Sequence, residues 1–503
     1  MKQPQLRILN YAVNGLGLGH ITRLIAINRW IRRIAGVLGI DAEITFITSS
    51  ECDTLAYQNG FPAFKIPSKN IIREAGISPQ RYRQMAKQWI WNAVNLVSPD
   101  IFIVDTFPGG SFDELYNIFD FGFKKVFIYR AVRPEIAARE DFQNILPSYH
   151  SIIIPQEKFA AEPIFPQKVE ARVFTTGEIM LRNREEILTR EEACEQLGLP
   201  DTALVCYITA GGGGDAHNET LLKKLSEIAD SFKNIHIVFG AGPLYRGQEF
   251  RGENRTWFTR YNAMEFFRAF DFAISAGGYN SVYELLYCGI PTIFYPQARL
   301  YDDQAARVEF LKNEGLCLLT DELDDIFKKI EMLVNDSVRA GFKKRALQKF
   351  SQNFAFETAA HILKDHISDA DLERAEMLLQ AENFAKTRRL GIGESDFLKM
   401  IFELDYKRRY FEKKVRSEEF FVKYHGEIPF KNGVLHDVAE PEEIADLALE
   451  FLKRLLENGI DAKKGVRFFK SFAGENVLKI ATEREMVFKA FDTLIERENF
   501  QCL

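Results

Sequence analysis

The chain has 503 residues, 46% of them hydrophobic, and a formal net charge of −6. Such a length calls for more than one domain, two of Rossmann size plus an appendage being the simplest division, and the acidic balance gives no general attraction to nucleic acid or to anionic membranes. Six cysteines (Cys52, Cys194, Cys206, Cys288, Cys317 and Cys502) show no C-x-x-C spacing and read as reduced thiols of a cytoplasmic protein; no apolar run is long enough to span a bilayer, which leaves room only for peripheral membrane contact.

Leu6 to Val13 predicts a buried strand. It is followed by Asn14-Gly-Leu-Gly-Leu-Gly-His20-Ile-Thr-Arg23, a helix from about Ile21 to Leu38 and a second strand from Glu43 to Thr48. Glycines 15, 17 and 19 let the backbone turn tightly and approach a ligand closely. A dinucleotide-binding fingerprint fits poorly, because the spacing is G-x-G-x-G followed by histidine and no acid ends the second strand. At a helix N-terminus the imidazolium form of His20 is disfavoured, which suits a general base near neutral pH. The alternatives for His20 are capping the helix and binding phosphate. Arg23, one turn on, either meets an anionic ligand or makes a surface or structural salt bridge.

From Gly60 to Val97 the chain is cationic, with Lys65, Lys69, Arg73, Arg81, Arg83 and Lys87 mixed with Trp89 and Trp91. This reads as an amphipathic helix with a solvated face, the alternative being a seat for a membrane or an anionic acceptor. Pro99 to Asp105 is a buried strand ending in a sharp loop. That loop should point Asp105 into the cleft of His20, to orient the histidine, bind an acceptor or simply cap the loop. Strands at Lys125 to Tyr129 and Ser151 to Ile154 complete a doubly wound half, and Gly177 suits a hinge.

The second half repeats the strand, loop and helix pattern. Leu204 to Thr209 is a strand, and Ala210-Gly-Gly-Gly-Gly214-Asp-Ala-His217 follows it. Four consecutive glycines point to main-chain contact with phosphate through Gly211, Gly212 and Gly213, with His217 a polar loop residue. Strands follow at His236 to Phe239, Arg255 to Tyr261 and Phe272 to Ile274. The last leads into Ser275-Ala-Gly277-Gly278-Tyr-Asn280-Ser281-Val-Tyr-Glu284, a glycine-rich turn opening a helix that Asn280 and Ser281 can cap. Gly289 and Pro291 end that helix, Pro291 to Tyr295 is the next strand, and Asp302-Asp303-Gln304 lies beyond it. In such a unit ligands bind outside the carboxyl ends of the strands, where bare amides attract anions.

The stretch from Ser275 to Gln304 resembles the donor-nucleotide half of GT-B glycosyltransferases, above all family 28 and its peptidoglycan N-acetylglucosaminyltransferases. The resemblance implies an α/β fold of two facing Rossmann-like doubly wound domains, 1–177 on the acceptor side and 178–338 on the donor side, with closing helices at 339–367. By the same resemblance the turn at Ser275, Gly277 and Gly278 faces a diphosphate, Glu284 binds the ribose, Asp303 and Gln304 face the donor sugar, and Arg260 and Tyr261 lie beside the base. The Gly-His-x-x-Arg loop at 19–23 is also similar to that of the nucleotide-sugar hydrolase of pseudaminic acid synthesis, whose histidine is the base.

The function implied is metal-independent, inverting transfer of a sugar from a nucleotide-sugar donor, of the UDP class, to a sugar, lipid or small-molecule hydroxyl. His20 would be the base, with no cofactor, since the nucleotide-sugar is a substrate. The alternatives are hydrolysis on the same scaffold and a non-catalytic nucleotide-sugar sensor. The resemblance ends near Ser368. Residues 368–503 read as a mainly helical extension, with one apolar helix face between Pro441 and Gly459 and with His425 and His436 lacking any zinc-ligand spacing.

Overall fold

A computed structural model describes residues 5–13, 17–200, 204–214, 217–229, 231–320 and 322–373, with 375, 376 and 379. Gly15 and everything expected of the extension from 381 onward, including Pro441 to Gly459, His425 and His436, lie outside the described residues. The described residues within 5–36 and 40–365 belong to one compact unit, which holds two parallel sheets.

The first sheet contains β1 (Gln5–Ala12), β2 (Asp41–Thr48), β3 (Ala63–Lys65), β4 (Ile101–Asp105), β5 (Lys124–Ile128), β6 (Ser151–Pro155) and β7 (Arg172–Thr176), in the order β3-β2-β1-β4-β5-β6-β7. The second contains β8 (Leu204–Thr209), β9 (Ile235–Gly240), β10 (Arg255–Phe258), β11 (Phe272–Ser275), β12 (Thr292–Phe294) and β13 (Leu318–Leu319), in the order β10-β9-β8-β11-β12-β13. β4, β6, β9 and β11 are buried along their whole length, as parallel strands covered on both faces must be. Helix Gly19–Val37 shows the matching helical period, burying Ile21, Leu24, Ile31 and Ile34 against its sheet.

The strand order reverses between β1 and β4 in the first lobe and between β8 and β11 in the second, where each pair lies side by side. These are the switch points at which an open α/β sheet leaves a crevice beyond its carboxyl edge. The loops after β1 and β4 carry His20 and Asp105. Those after β8 and β11 carry the glycine run and the turn before helix Tyr279–Tyr287.

The chain crosses between lobes twice, and the two crossings are stapled together. Asn353 accepts a hydrogen bond from the Met180 amide at 3.0 Å and donates to the Met180 carbonyl at 3.0 Å, while the Phe354 amide donates to the Glu178 carbonyl at 3.1 Å. Gly177 is required here because a Cβ would stand 2.3 Å from the Phe354 ring. Helix Ala355–Leu363 then packs on the first lobe, with Phe356 edge-on to Trp30 and the Ile362 carbonyl accepting from Lys124.

Several boundaries move from those the sequence suggests. β3 and β7 are short edge strands without an apolar run to mark them, and β10 stops at Phe258, which leaves Arg260 and Tyr261 in the following turn. His217, expected in the loop, is the first residue of helix His217–Ala229. Asn280 and Ser281 do not cap their helix: Gly278 is the N-cap, without a side-chain hydrogen bond, and both residues sit in the first turn.

Candidate active site

Both switch points open onto one cavity of about 720 Å3. Gly17, Gly19, His20 and Thr106 line it from the first lobe; Gly211, Gly212, Gly213, Tyr261, Gly278, Asn280, Ser281, Glu284 and Gln304 line it from the second. Arg260 and Lys69 line it as well, whereas Ser275, Gly277 and Asp303 do not. Ser275 is buried, its hydroxyl donating to the Ala276 carbonyl. Gly277 packs beneath the turn, where a Cβ would meet Val308 at 2.9 Å. Asp303 accepts from the Ala306 amide at 3.1 Å as the N-cap of helix Gln304–Asn313, so its carboxylate is committed to the helix end.

His20 sits at the second residue of its helix with the imidazole 18% exposed, and its Nδ1 lies 2.6 Å from Asp105 Oδ2. Asp105 is fully buried. It also accepts two hydrogen bonds from Arg23 Nη1, at 2.7 and 2.8 Å, and one from the Thr106 hydroxyl at 3.0 Å. Burial pushes the Asp105 carboxyl up, but Arg23 and His20 outweigh it and hold it below the usual carboxylate range. An ionised carboxylate only accepts, so Nδ1 must carry the proton, which leaves Nε2 as an acceptor. Burial is also the largest influence on His20. It outweighs Asp105 and lowers the imidazole below its ordinary value, keeping the ring neutral. Arg23 itself is 1% exposed, which rules out the surface salt bridge entertained from the sequence and leaves a structural one.

On the opposite wall Gly211 and Gly213 adopt φ of +88° and +86°, conformations that favour glycine. Part of this run has a packing reason besides the close approach of a ligand expected from the sequence. A Cβ on Gly213 would lie 2.3 Å from the Ala241 carbonyl oxygen, and one on Gly242 would lie 2.4 Å from that of Gly211, because the loops after β8 and β9 are pressed together. Gly211 itself faces open space. Glu284 is partly buried and hydrogen-bonded to the Leu181 main chain; burial raises its carboxyl to about 7. Gln304 accepts from the Gln297 amide at 3.0 Å, which fixes its side chain against the turn at Gly278.

Between the walls runs a buried ionic network that sequence reasoning missed. Arg307 donates through Nε and Nη2 to Glu157 at 2.5 and 3.1 Å, and through Nη2 and Nη1 to Asp302 at 2.8 and 3.2 Å. Its Nη1 also reaches the Gly277 carbonyl at 2.9 Å, which satisfies all five of its N–H groups. The Tyr283 hydroxyl donates to Glu157 at 2.9 Å, and Arg130 Nη2 donates to Asp302 at 2.5 Å. Burial raises the Asp302 carboxyl, but Arg130 and Arg307 override it and hold the group well below the carboxylate range. Asp302 is therefore an internal counter-ion. Arg130 and Glu157 each follow the carboxyl end of a strand of the first lobe, which was the one available sequence signal.

Among the described residues no group of three His, Cys, Asp or Glu side chains is placed to hold a metal ion, and no helix is long and apolar enough to cross a membrane. The Asp302 and Asp303 carboxylates are occupied by arginine and by a helix end respectively.

Residues 205–362 match the glycosyltransferase family 28 C-terminal domain. The chain is 23% identical over 337 residues to an uncharacterized glycosyltransferase of Methanosarcina acetivorans, covering 60% of this chain and 80% of that one. It is 27% identical over 197 residues to a UDP-N-acetylglucosamine–N-acetylmuramyl-(pentapeptide) pyrophosphoryl-undecaprenol N-acetylglucosamine transferase 2 of Bacillus thuringiensis subsp. konkukian. That alignment covers 37% of this chain and spans 54% of the relative. Among solved structures, spinosyn forosaminyltransferase SpnP superposes with a TM-score of 0.51 at 13% identity over 72% of this chain and 98% of its own. Spinosyn rhamnosyltransferase SpnG complexed with thymidine diphosphate gives 0.50 at 14% identity over 72% and 100%. These superpositions establish the GT-B fold.

Proposed function

Starting from a chain that is a GT-B, family-28-like glycosyltransferase, we propose that it transfers a sugar from a nucleotide-sugar, of the UDP class, to an acceptor hydroxyl with inversion, His20 being the base. One observation carries the reading: the His20–Asp105 pair and the glycine-lined anion wall with Glu284 face the same cavity from two switch points. The Bacillus relative's name specifies a UDP-sugar donor, which supports that donor class.

The amides of the loop 211–213 and the N-terminus of helix Tyr279–Tyr287 would receive the diphosphate, and their partial positive charge would stabilise it as it leaves. Glu284 would accept from ribose hydroxyls, and Gln304 would contact the sugar. His20 Nε2 takes the acceptor hydroxyl's proton as the oxygen bonds to the anomeric carbon. The bond from that carbon to the diphosphate oxygen breaks, and its electron pair leaves with the nucleotide. In this metal-independent reading the charge of the leaving group would rest on main-chain amides. Peripheral contact at the inner face of the membrane would use helix Pro79–Val97, which exposes Arg81 and Arg83 in its first turns and Trp89 and Trp91 further along.

The test is incubation with a panel of nucleotide-sugars, with and without candidate acceptors, using wild type and His20→Ala. Transfer predicts slow release of free sugar from the donor alone, faster nucleotide release with the right acceptor, and loss of both in the variant. Rapid stoichiometric hydrolysis would instead make water the acceptor, and equal turnover in both proteins would reject His20 as the base.

A further inference from the structure

Arg23 is the enclosed cation beside the proposed base and its Asp105 partner. Its side chain is inaccessible to solvent and its Nη1 binds both oxygens of Asp105. The Nε and Nη2 atoms find no acceptor, and the guanidinium carbon lies 4.7 Å from the centre of the Tyr279 ring across the cleft. A guanidinium kept this dry with two nitrogens unsatisfied is costly. Packing alone would have been served better by an apolar side chain.

The charges explain it. Facing His20 from the surrounding elements are Arg23 on its own helix, Asp105 at the end of β4 and Arg130 after β5. Beyond them lie Glu157 after β6, and Asp302 and Arg307 from the second lobe. Three arginines balance three carboxylates, so the cluster is neutral when the imidazole is neutral. Without Arg23 it would carry one net negative charge out of water, and a proton on His20 is the nearest way to cancel it.

We infer that Arg23 is a positioning residue for His20: by gripping both oxygens of Asp105 and matching its charge, it keeps the imidazole in the neutral tautomer whose Nε2 accepts the proton. The inference deepens the proposed reaction and rests on it for its catalytic meaning, but the protonation of His20 can be measured without any substrate.

The experiment is an NMR titration of labelled histidine in the full chain, with the His20 signal assigned by its loss in His20→Ala. Arg23→Met should raise the His20 midpoint by about one pH unit, the usual effect of one charge in a buried cluster, and Arg23→Lys should return it to within a few tenths of wild type. Asp105→Asn, which leaves a net positive charge, should move it down and serves if Arg23→Met does not fold. The acid limb of kcat/KM should follow the midpoint in each folded variant, whereas a purely structural role would lower activity without moving the limb. An unchanged His20 midpoint in folded Arg23→Met, or in folded Asp105→Asn, overturns the inference. Shifted midpoints with no turnover on any nucleotide-sugar would sink the transferase reading and leave the role of Arg23 standing.

Discussion

Glu157 is the first-lobe end of the buried network, and removing it should be among the most damaging single changes in the chain. Its carboxylate, on a residue 1% exposed, receives Arg307 Nε, Arg307 Nη2 and the Tyr283 hydroxyl. Glu157→Ala orphans three donors in a dry interior, while Arg307 keeps Asp302 as its remaining partner. Each lost bond to a charged group is worth about 1.5–3 kcal/mol, and breaking a buried pair from one side costs about 3–5 kcal/mol in all. Since domains are stable by only about 5–15 kcal/mol, that loss takes a large share of the margin. Urea unfolding followed by circular dichroism measures it. Glu309→Ala, which removes the half-exposed partner of Lys312, is the control and should change stability by less than about 1 kcal/mol. A Glu157→Ala protein within about 1 kcal/mol of wild type would refute the reasoning that this network is closed and dry.

Three further outcomes follow from the site. Gly211→Ala should cost about 1–2 kcal/mol for its positive φ alone, whereas Gly213→Ala adds the clash with the Ala241 carbonyl and should cost about 3 kcal/mol or more; thermal melts of the two variants compare them. The folded value of Glu284, about 7, lies above its unfolded value of 4.5. Its contribution to stability is therefore complete below pH 4.5 and is lost as pH rises through 7. Glu284→Gln should accordingly be more stable than wild type above pH 7, by roughly 2 kcal/mol after discounting for remaining solvent contact, and this advantage should vanish at pH 4.5. Turnover should survive EDTA undiminished, and a loss reversed by magnesium would contradict reaction without a metal.

Much of this architecture can be read from the chain because the informative signals are local. A buried apolar run, then glycines, then a helix start recur at 6–23, 204–217 and 272–284, and each marks a strand's carboxyl edge. That placed His20 and Glu284 on the same cavity as the glycine loop. The network could not be read in the same way, since Tyr283, Arg307 and Asp302 meet partners 126, 150 and 172 residues away. Nothing around Arg23 in the sequence distinguishes a buried arginine from an exposed one. A residue just before a helix is as well suited to capping it as to meeting a sugar, and Asp303 does cap its helix through Oδ1.

In the proposed reaction one lobe holds the activated sugar while the other supplies the base. Calorimetric titration of wild type, Glu284→Ala and His20→Ala with the nucleotide-sugar that turns over separates these roles. Binding should stay within about threefold of wild type in His20→Ala and be at least tenfold weaker in Glu284→Ala. Unimpaired binding in Glu284→Ala together with loss of binding in His20→Ala would contradict that division of roles.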